Sequence, residues 1–378
     1  MFLRSRTTAL AIIALTGLVV YSNTFYAPFQ WDDNHFISEN PVVKDIGYFI
    51  GPSRAKGLEL YGAFKGRYIG YLSFAINYRL HGLDVMGYHV FNIAVHIADA
   101  FLVYLLVLLL LKTPSLARSS LSGHGSAIAF FTSIFFVSHP VQTEAVTYVF
   151  QRLASLAAFF YLSSVVLYVK WRLDREIASP SARNDNHPAP LLTKEGLKGE
   201  VIARKHPERP ELVERVEGAT KQSKSFLFYL LSLLSAALAM KTKENAFTLP
   251  LIIALVELTF FKGPIKRRLT ILFPFILTML IIPLSLTGVE RPVGEVIGSI
   301  GPASRGYEQF ARDDYLYTQF RVIVTYIRLI FFPSGQNIDY DYDLYTSFSN
   351  PRVWASFIFI ASVFSLSLYL LYRSKRNP

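Results

Sequence analysis

The feature that most constrains this chain is a series of apolar runs long enough to cross a lipid bilayer. Several of them carry almost no charge over the roughly 18 to 20 residues that a helix needs to span ~30 Å of hydrocarbon. The runs are apolar on every side and do not alternate between apolar and polar, so they predict helices and not the strands of a membrane barrel. The predicted fold class is therefore all-α, a polytopic integral membrane helix bundle.

Composition supports this fold class and narrows the partners. Hydrophobic residues make up 52% of the chain and charged residues only 17%, whereas charge is about a quarter of an ordinary soluble domain. A net charge of +11 would suggest nucleic acid in a soluble chain, but here the Lys and Arg residues cluster at the ends of apolar runs. We therefore expect membrane lipid as a partner and no nucleic acid. The sequence has no cysteine, which excludes disulfides and thiol catalysis.

Charge placement predicts eight or nine spans. Arg4 and Arg6 hold the start of the first span in the cytoplasm, and we interpret that span as a retained helix and not as a cleaved signal peptide. If the segment 318–332 crossed the membrane, the basic C-terminus would lie outside, so we favour an interfacial or re-entrant helix there. The eight predicted spans are 7–25, 88–111, 127–138, 153–169, 226–240, 247–261, 269–286 and 352–372.

The chain divides into three predicted regions. Residues 1–171 form an N-terminal membrane module whose first loop, 27–87, is long and external and carries interfacial helices, with 68–83 as the amphipathic candidate. Residues 172–225 mix prolines with dense charge of both signs, a composition that cannot bury a core, so we expect a mostly disordered cytoplasmic loop. Residues 226–378 form a C-terminal membrane module.

Two adjacent carboxylates, Asp32 and Asp33, lie just beyond the first span, on the outer side of the membrane. Neighbouring like charges repel, and burial beside aromatic residues such as Trp31 and Phe36 raises the pKa of at least one carboxyl, which suits a general base acting on a weak nucleophile. A solvated acidic turn is the commoner meaning of a bare Asp–Asp pair. The motifs that follow favour the catalytic interpretation.

Polar residues occur on the second span where apolar ones are expected. His89, Asn92 and His96 are spaced i, i+3, i+7 and share one helical face, with Asp99 one turn further. Such groups usually face a bundle interior or a water-filled cavity, and the alternative role is hydrogen bonding between helices. Both roles stay open for His89 and Asn92 near the outer end, whereas helix adhesion is favoured for the deeper pair.

Basic residues on the outer side predict an anion site. Lys241 and Lys243 lie at the tip of a hairpin that faces outward, against the positive-inside tendency. A phosphate at the interface needs paired cationic donors, a fork from Arg or a point charge from Lys. For any single residue, the alternative is a charge that merely snorkels to the interface. The cationic candidates are Arg67, Arg152, Lys241, Lys243, Arg321 and Arg328.

Six motifs occur in order along the chain. They are Trp31–Phe36; Gly66–Tyr68 with Ser73–Tyr78; Gly87–Asn92 with His96; His139–Val146 through Arg152; Thr242–Asn245; and Gln319–Arg321 with Asp339–Asp341. Together they resemble the membrane half of the transmembrane and tetratricopeptide-repeat-containing O-mannosyltransferases and their bacterial relatives, within the C-type (GT-C) superfamily of polytopic glycosyltransferases. No 34-residue repeat is visible, so acceptor recognition by such an array is expected to be absent or to come from a partner.

The resemblance implies an activity and a set of roles. The implied reaction moves a sugar, a hexose such as mannose, from a polyprenyl-phosphate-linked donor to a hydroxyl of a protein, lipid or glycan acceptor at the outer face, with inversion. In related protein O-mannosyltransferases an Asp–Glu pair occupies the place of Asp32 and Asp33 with the first residue as base, so Asp32 is the implied base and Asp33 its partner. The implied donor-phosphate ligands are Lys243, Arg152, Arg321 and Arg67. The implied pocket residues are His89, Asn92, His139, Glu144 and Glu244.

Alternatives remain open at three points. A divalent cation, Mg²⁺ or Mn²⁺, held by Asp32 or Asp33 together with a substrate phosphate fits the same residues. For His139, which precedes a proline, a helix-capping turn is as good an interpretation as a site role. A non-catalytic membrane scaffold or a subunit that binds the lipid carrier is the alternative to an enzyme. The bacterial relatives imply an inner-membrane location with the active site on the periplasmic or external side.

Overall fold

The protein is helical throughout the part of the chain that the structure describes. The computed structural model describes residues 5–177, 225–287, 311–337, 340 and 342–376. No residue within these ranges is in a strand. The predicted all-α fold class is confirmed.

Ten helices of ten or more residues lie within the described ranges. In chain order they are α1 (Arg6–Val20), α2 (Tyr68–His81), α3 (Val85–Leu110), α4 (Gly125–Ser138), α5 (Arg152–Ile177), α6 (Ser225–Met240), α7 (Leu249–Phe260), α8 (Ile265–Thr278), α9 (Arg312–Phe331) and α10 (Pro351–Arg376).

Five helical segments are long and apolar enough to cross a membrane. By length and composition the five, found among the described residues, are Val85–Leu110, Ser120–Ser138, Val149–Glu176, Ile265–Ser285 and Pro351–Arg373. The helices α1 and α6 are apolar but shorter. The protein is thus a membrane protein, and the total of eight or nine spans stays a prediction.

The chain forms two compact units. The first comprises Met1–Ser138 and Ala145–Val289, and the second comprises His139–Glu144 and Glu290–Pro378. Most of the predicted loop 172–225, from residue 178 to residue 224, lies outside the described ranges. Helix α5 continues to Ile177, beyond the end at Val169 that the sequence predicts for this span. The predicted three-region division stays a prediction.

The core of the first unit is built around α3, which packs against α1, α4 and α5. The close approach of α1 depends on Gly17, because a Cβ added there would lie 2.7 Å from Cγ1 of Ile97. Apolar side chains of α5, α6, α7 and α8 form a second cluster that includes Tyr168, Trp171 and Phe275. These contacts bury one face of each helix.

The segment between α1 and α3, which the sequence predicts to be external, folds onto the start of α5. It begins with short helical turns and continues into α2, as predicted for 68–83, and its placement in the membrane interface stays a prediction. Phe64, Phe74 and Tyr88 pack here against Phe150 and its neighbours. At Gly70 the backbone of α2 comes so close to α5 that an added Cβ would lie 2.0 Å from Cδ2 of Leu153. This packing sets side by side the ends of α2, α3 and α5 on the side that the sequence predicts to be outer, which are called the outer end of the first unit.

A buried charge cluster, formed by Glu257, Arg172 and Arg268, joins α5, α7 and α8. Glu257 is fully buried and accepts hydrogen bonds from Nε of Arg172 at 2.8 Å and from Nη2 at 3.1 Å. Nε of Arg268 lies 3.4 Å from Oε1 of Glu257. Arg268 also donates a hydrogen bond to the backbone oxygen of Glu257. Arg172 follows Arg152 by twenty residues on one helix, which is about 30 Å. The cluster therefore lies at the end of the helices opposite to the start of α5.

The second unit contains α9 and α10, which pack against each other. The rings of Phe320, Phe348 and Phe357 contact one another between them, with centroids 5.2 to 6.5 Å apart. Oγ1 of Thr318 on α9 accepts a hydrogen bond from the backbone N–H of Tyr345 at 3.1 Å. The aromatic contacts and this hydrogen bond tie the segment before α10 to α9.

Candidate functional site

The two acidic residues after α1 have opposite environments. Asp33 is 1% exposed, and its two oxygens accept hydrogen bonds from the backbone N–H of Phe150 at 2.7 Å and of Gln30 at 2.9 Å. Asp32 is exposed. Asp33 is thus committed to joining two segments of backbone, and Asp32 is the carboxylate of the pair that can meet a substrate.

Burial raises the pKa of Asp33 to about 6, and the charge of Asp32 adds to this, while the backbone N–H groups of Gln30 and Phe150 oppose it. The ring of Phe36 stacks on that of Phe150 at 4.5 Å and helps to exclude water. The prediction that burial beside aromatic residues raises the pKa of at least one carboxyl is confirmed for Asp33.

Asp32 is held by a tyrosine that the sequence reasoning missed. The hydroxyl of Tyr148 accepts a hydrogen bond from the backbone N–H of Asp32 at 3.0 Å, although the two residues are 116 positions apart. Burial raises the pKa of Tyr148, and the negative charges of Asp32 and Asp33 raise it further. The phenol therefore keeps its proton and can offer it toward the carboxylate beside it. No spacing or periodicity in the sequence signals this pair.

The turn that carries the acidic pair is strained. Trp31 has φ +45°, and it is the one residue other than glycine with a positive φ among the described positions. Such a conformation costs a bulky residue about 1–2 kcal/mol. Hydrogen bonds from Asp33 N to Gln30 O and from Asn34 N to Trp31 O close the turn. The ring of Trp31 is 65% exposed beside Asp32, so the strain presents an aromatic face at the site.

Arg152, the first residue of α5, is fully buried, and among the described residues it forms no ion pair with a carboxylate. Its guanidinium donates to Oδ1 of Asn92 at 2.6 Å, to the backbone oxygen of Tyr88 at 3.0 Å and to that of Ser73 at 3.3 Å. Aromatic rings complete its surroundings, and they are those of Phe74, Tyr88 and Phe91, with centroids 4.4 to 5.4 Å away. The buried guanidinium therefore joins α2, α3 and α5.

Two further basic residues lie near the start of α5. Nζ of Lys243 donates to Oε1 of Gln151 at 3.0 Å, and Gln151 follows the residue that Asp33 binds. Nε of Arg67 donates to Oε1 of Glu244 at 2.9 Å, in an ion pair that is partly exposed. Lys243 and Glu244 are neighbours in the hairpin tip, so these contacts form a continuous link from Asp33 to Arg67.

The charges of Asp32, Arg67 and Glu244 all act on one residue, Tyr71. It is fully buried on α2, and its hydroxyl has no hydrogen-bond partner in the described part of the chain. Burial raises the pKa of Tyr71, the positive charge of Arg67 opposes this, and the negative charges of Glu244 and Asp32 add to it. Asp32 and the Arg67–Glu244 pair are therefore close enough to act on one phenol.

The polar residues of α3 share one buried face, as predicted. Nε2 of His89 is 2.9 Å from the backbone oxygen of Ala27, just before the acidic turn. Asn92 donates to the backbone oxygen of Val146 at 3.1 Å and accepts from Arg152. Both residues thus support the backbone that carries the site.

Deeper on α3, Nε2 of His96 lies 3.2 Å from the backbone oxygen of Val137 on α4. The sequence analysis favoured such a hydrogen bond between helices as the role of His96. Asp99 is buried one turn further, and its Oδ1 has no hydrogen-bond partner among the described residues.

Three other sequence candidates belong to the second unit. His139 accepts a hydrogen bond at Nδ1 from the backbone N–H of Val141, so the predicted cap is confirmed, and its Nε2 lies 2.9 Å from the backbone oxygen of Ile330. Glu144 is half-buried in the short helix Thr143–Thr147. Arg321 is half-buried on α9, and its Nε has no hydrogen-bond partner in the ranges that the structure describes.

The acidic pair offers little to a metal ion. Both oxygens of Asp33 already accept backbone N–H groups, and only Asp32 has oxygens exposed to a ligand. Across the described residues, no group of three or more His, Cys, Asp or Glu side chains converges on one point. The residues present do not fit a dedicated divalent cation site, so no step of a mechanism is assigned to one.

Comparison with known proteins finds relatives in one family. The chain is 30% identical over 168 residues to a protein O-mannosyl-transferase of Caenorhabditis elegans, which is 43% of this chain and 23% of that relative. It is 29% identical over 171 residues to protein O-mannosyl-transferase Tmtc3 of Drosophila melanogaster, 42% of this chain and 18% of the relative. It is 31% identical over 160 residues to protein O-mannosyl-transferase TMTC2 of Mus musculus, 41% of this chain and 18% of the relative.

The predicted resemblance to O-mannosyltransferases of this kind is confirmed by these matches. The aligned part of the chain spans only about a fifth of the length of these curated relatives, from 18% to 23%. No family model matches the chain. No solved structure matches it either.

Proposed function

We propose that this membrane protein is a glycosyltransferase that moves a hexose such as mannose from a polyprenyl-phosphate-linked donor to an acceptor hydroxyl at the outer face of the membrane. One observation carries the proposal. An exposed carboxylate, Asp32, is fixed by distant parts of the chain, and its charge and those of Arg67 and Glu244 all act on the same buried phenol, Tyr71. Relatives with the name protein O-mannosyl-transferase support the same activity.

Asp32 is the proposed general base. A sugar acceptor hydroxyl is a weak nucleophile and must lose its proton as the new bond to the anomeric carbon forms. An exposed carboxylate can accept that proton, and Tyr148 fixes its backbone at 3.0 Å. A base that is held in place reacts without first paying the entropy of orientation. The exposed ring of Trp31 adds an apolar face against which a sugar ring can lie.

Lys243 and Arg67 are the proposed partners of the donor phosphate. As the bond from the anomeric carbon to the phosphate oxygen breaks, its electron pair stays on the phosphate, and preorganised cations stabilise that charge. Lys243 and Arg67 extend from the hairpin tip and from the start of α2, and each is held by a polar side chain. For Arg321, which belongs to the second unit, the phosphate role stays a prediction from the sequence.

Asp33 and Arg152 are proposed as positioning residues. Both are buried and have their polar atoms occupied by the protein, so neither offers a group to the substrate. Asp33 fixes the backbone beside the base, and Arg152 fixes the start of α5 next to Gln151. Substitution at either residue should therefore lower activity through the position of Asp32 or Lys243.

The reaction balances without a further reactant. The acceptor oxygen attacks the anomeric carbon, its proton passes to Asp32, and polyprenyl phosphate leaves with the electron pair of the broken bond. Attack opposite to the leaving group gives inversion, which needs one carboxylate and no covalent intermediate. Of the predicted pocket residues, Glu244 is proposed to act beside the donor phosphate through its ion pair with Arg67, and the fully buried His89 and Asn92 are proposed to support the backbone of the site. For His139 and Glu144, which belong to the second unit, the pocket role stays a prediction from the sequence.

The decisive experiment measures transfer from a polyprenyl-phosphate-linked mannose to peptide, lipid and glycan acceptors by purified protein in vesicles. Asp32→Asn should lower the rate at least ~100-fold, which is the usual contribution of a general base. The matched control is Glu59→Gln, an exposed carboxylate in the same external segment. It should leave the rate unchanged.

Unchanged transfer in Asp32→Asn would remove this residue from the mechanism. If the unaltered protein binds polyprenyl phosphate tightly and gives no product with any donor and acceptor, the scaffold alternative is correct. Thermal unfolding of both variants should match that of the parent protein, because Asp32 and Glu59 are exposed.

A further inference from the structure

A cavity of about 720 Å³ opens at the ends of α3 and α4 that lie away from the acidic turn. Helix α3 runs from the site at His89 to Leu110, and the loop after it leads into α4. The residues that line the cavity are Arg6, Leu108, Leu111, Lys112, Ala117, Ser122, Gly123, His124, Gly125, Ser126 and Ala127. All of them belong to the first unit.

The charge of this cavity has one sign. Arg6 comes from the start of α1, Lys112 from the end of α3 and His124 from the turn before α4, so hydrogen-bond donors from three segments line the same cavity. Among the described residues, no carboxylate lines it. Within the part of the chain that the structure describes, neither Arg6 nor Lys112 forms an ion pair. A hollow of this kind attracts an anion.

The other lining residues indicate the kind of anion. Leu108 and Leu111 come from the last turn of a membrane-spanning helix and form an apolar wall, while Ser122 and Ser126 offer hydroxyl groups. Charged donors above an apolar wall, at the depth where a span ends, match the two parts of a phospholipid, which are its phosphate and the start of its acyl chains.

The loop that encloses the cavity is built by its own hydrogen bonds. The hydroxyl of Ser119 donates to the backbone oxygen of Leu116 at 2.7 Å, and that of Ser115 donates to the backbone oxygen of Thr259 in the last turn of α7 at 2.9 Å. Gly125 packs so closely that an added Cβ would lie 3.2 Å from Cδ1 of Leu111. The walls are thus ordered before any ligand binds.

We propose that this cavity binds the phosphate headgroup of an anionic phospholipid, at the end of the molecule opposite to the proposed sugar-transfer site. Arg6 and Lys112 supply charge, His124 and the serine hydroxyls supply hydrogen bonds, and the leucines contact the acyl region. The proposal depends on the lining of the cavity and does not require the proposed enzymatic activity.

The test counts lipids that stay bound to purified full-length protein, by native mass spectrometry, as phosphatidylglycerol or phosphatidylcholine is titrated. Arg6→Gln with Lys112→Gln should weaken phosphatidylglycerol binding at least about tenfold, since each basic group near a headgroup contributes several-fold. The matched control is Arg118→Gln with Lys262→Gln. It removes the same charge from exposed residues near the same loop that do not line the cavity, and binding should change by less than about threefold.

Two results would overturn the proposal. Equal losses in the two double variants, or no loss in either, would mean that the cavity does not select the lipid. Soluble glycerol phosphate that binds as tightly as phosphatidylglycerol would mean that the anion is a free phosphate ester and the acyl wall is irrelevant. Thermal unfolding in phosphatidylcholine alone should be equal in all variants, because the altered side chains are exposed.

Discussion

Buried charges are compensated differently at the two ends of the first unit, the outer end that contains Asp33 and Arg152 and the opposite end that contains Glu257. In the buried charge cluster, Glu257 meets Arg172 and Arg268 directly, at 2.8 to 3.4 Å. At the outer end, Asp33 is held by backbone N–H groups, and Arg152 by neutral oxygens and aromatic rings. The charges of the cluster neutralise one another, while Asp33 and Arg152 at the outer end are each held by neutral groups and form no pair.

The difference bears on function. A carboxylate that is neutralised by two arginines has little capacity left for a ligand. Charges kept separate leave a field at the surface between them, and there the exposed Asp32 and the Arg67–Glu244 pair act on the same buried phenol, Tyr71. The cluster fits a structural role, and the outer end fits chemistry on a charged substrate.

The largest expected effect on stability is at the cluster. Glu257→Gln should lower the free energy of unfolding by about 3–5 kcal/mol, because among the described residues it leaves Arg268 without a counter-charge and the buried Arg172 with only the more exposed Glu176. The control is Glu176→Gln, which removes a more exposed carboxylate from the same Arg172 at 3.3 Å and should cost less than about 1 kcal/mol. Thermal unfolding in detergent measures both. Equal small losses would show that the cluster does not depend on its charge.

The second effect is a pH dependence at the outer end. The pKa of Asp33 is raised to about 6 in the folded protein, so the folded state holds its proton more tightly than the unfolded state. The contribution of Asp33 to stability should therefore be fully present below about pH 4 and should fall by about 3 kcal/mol as the pH rises through about 6. Unfolding measured between pH 4 and 7 should show this decline in the parent protein.

The variant Asp33→Asn isolates this contribution. An amide does not titrate, so the part of the decline that belongs to Asp33 should vanish, even if the variant is less stable at every pH because it loses one backbone contact. The exposed Asp45→Asn is the control and should keep the decline. The same slope in the parent and in Asp33→Asn would mean that Asp33 is not the residue that titrates.

The sequence predicts the helices better than the site, for a physical reason. An apolar run in a membrane must satisfy its own backbone, so its helical state follows from local composition, and α3 and α10 lie where predicted. The contact between Asp32 and Tyr148 joins positions 116 residues apart and has no periodic signature. Sequence reasoning could propose both aspartates, but it could not tell that Asp33 is buried and Asp32 exposed.

Arg152 shows the same limit. The sequence indicates a cation at the outer end of a span, and a cation there fits either a phosphate or the interface. Three oxygens from α2 and α3 decide its position, and only the packing of those helices brings them together.

The third effect tests whether Arg152 depends on its planar fork. Arg152→Lys keeps the charge but cannot reach the three oxygens of Asn92, Ser73 and Tyr88 together, and it loses part of the contact with the aromatic rings. We expect a loss of about 2 kcal/mol in stability. The exposed Arg79→Lys should change it by less than about 0.5 kcal/mol. Equal stability of the two variants would show that the fork is dispensable.

The smallest expected effect is at the strained turn. Trp31→Gly removes the cost of about 1–2 kcal/mol that a positive φ imposes on a bulky residue. Glycine also lowers stability by about 0.5–1 kcal/mol, because it raises the entropy of the unfolded chain. The net stability should therefore rise slightly, by less than about 1 kcal/mol. Trp354→Gly makes the same change inside the helix α10, where it should lower stability by about 1 kcal/mol. Opposite signs in thermal unfolding would show that the outer turn holds a conformation its own residue disfavours. A loss in both variants would mean that the ring of Trp31 stabilises the fold through contacts, and that the backbone there is not strained.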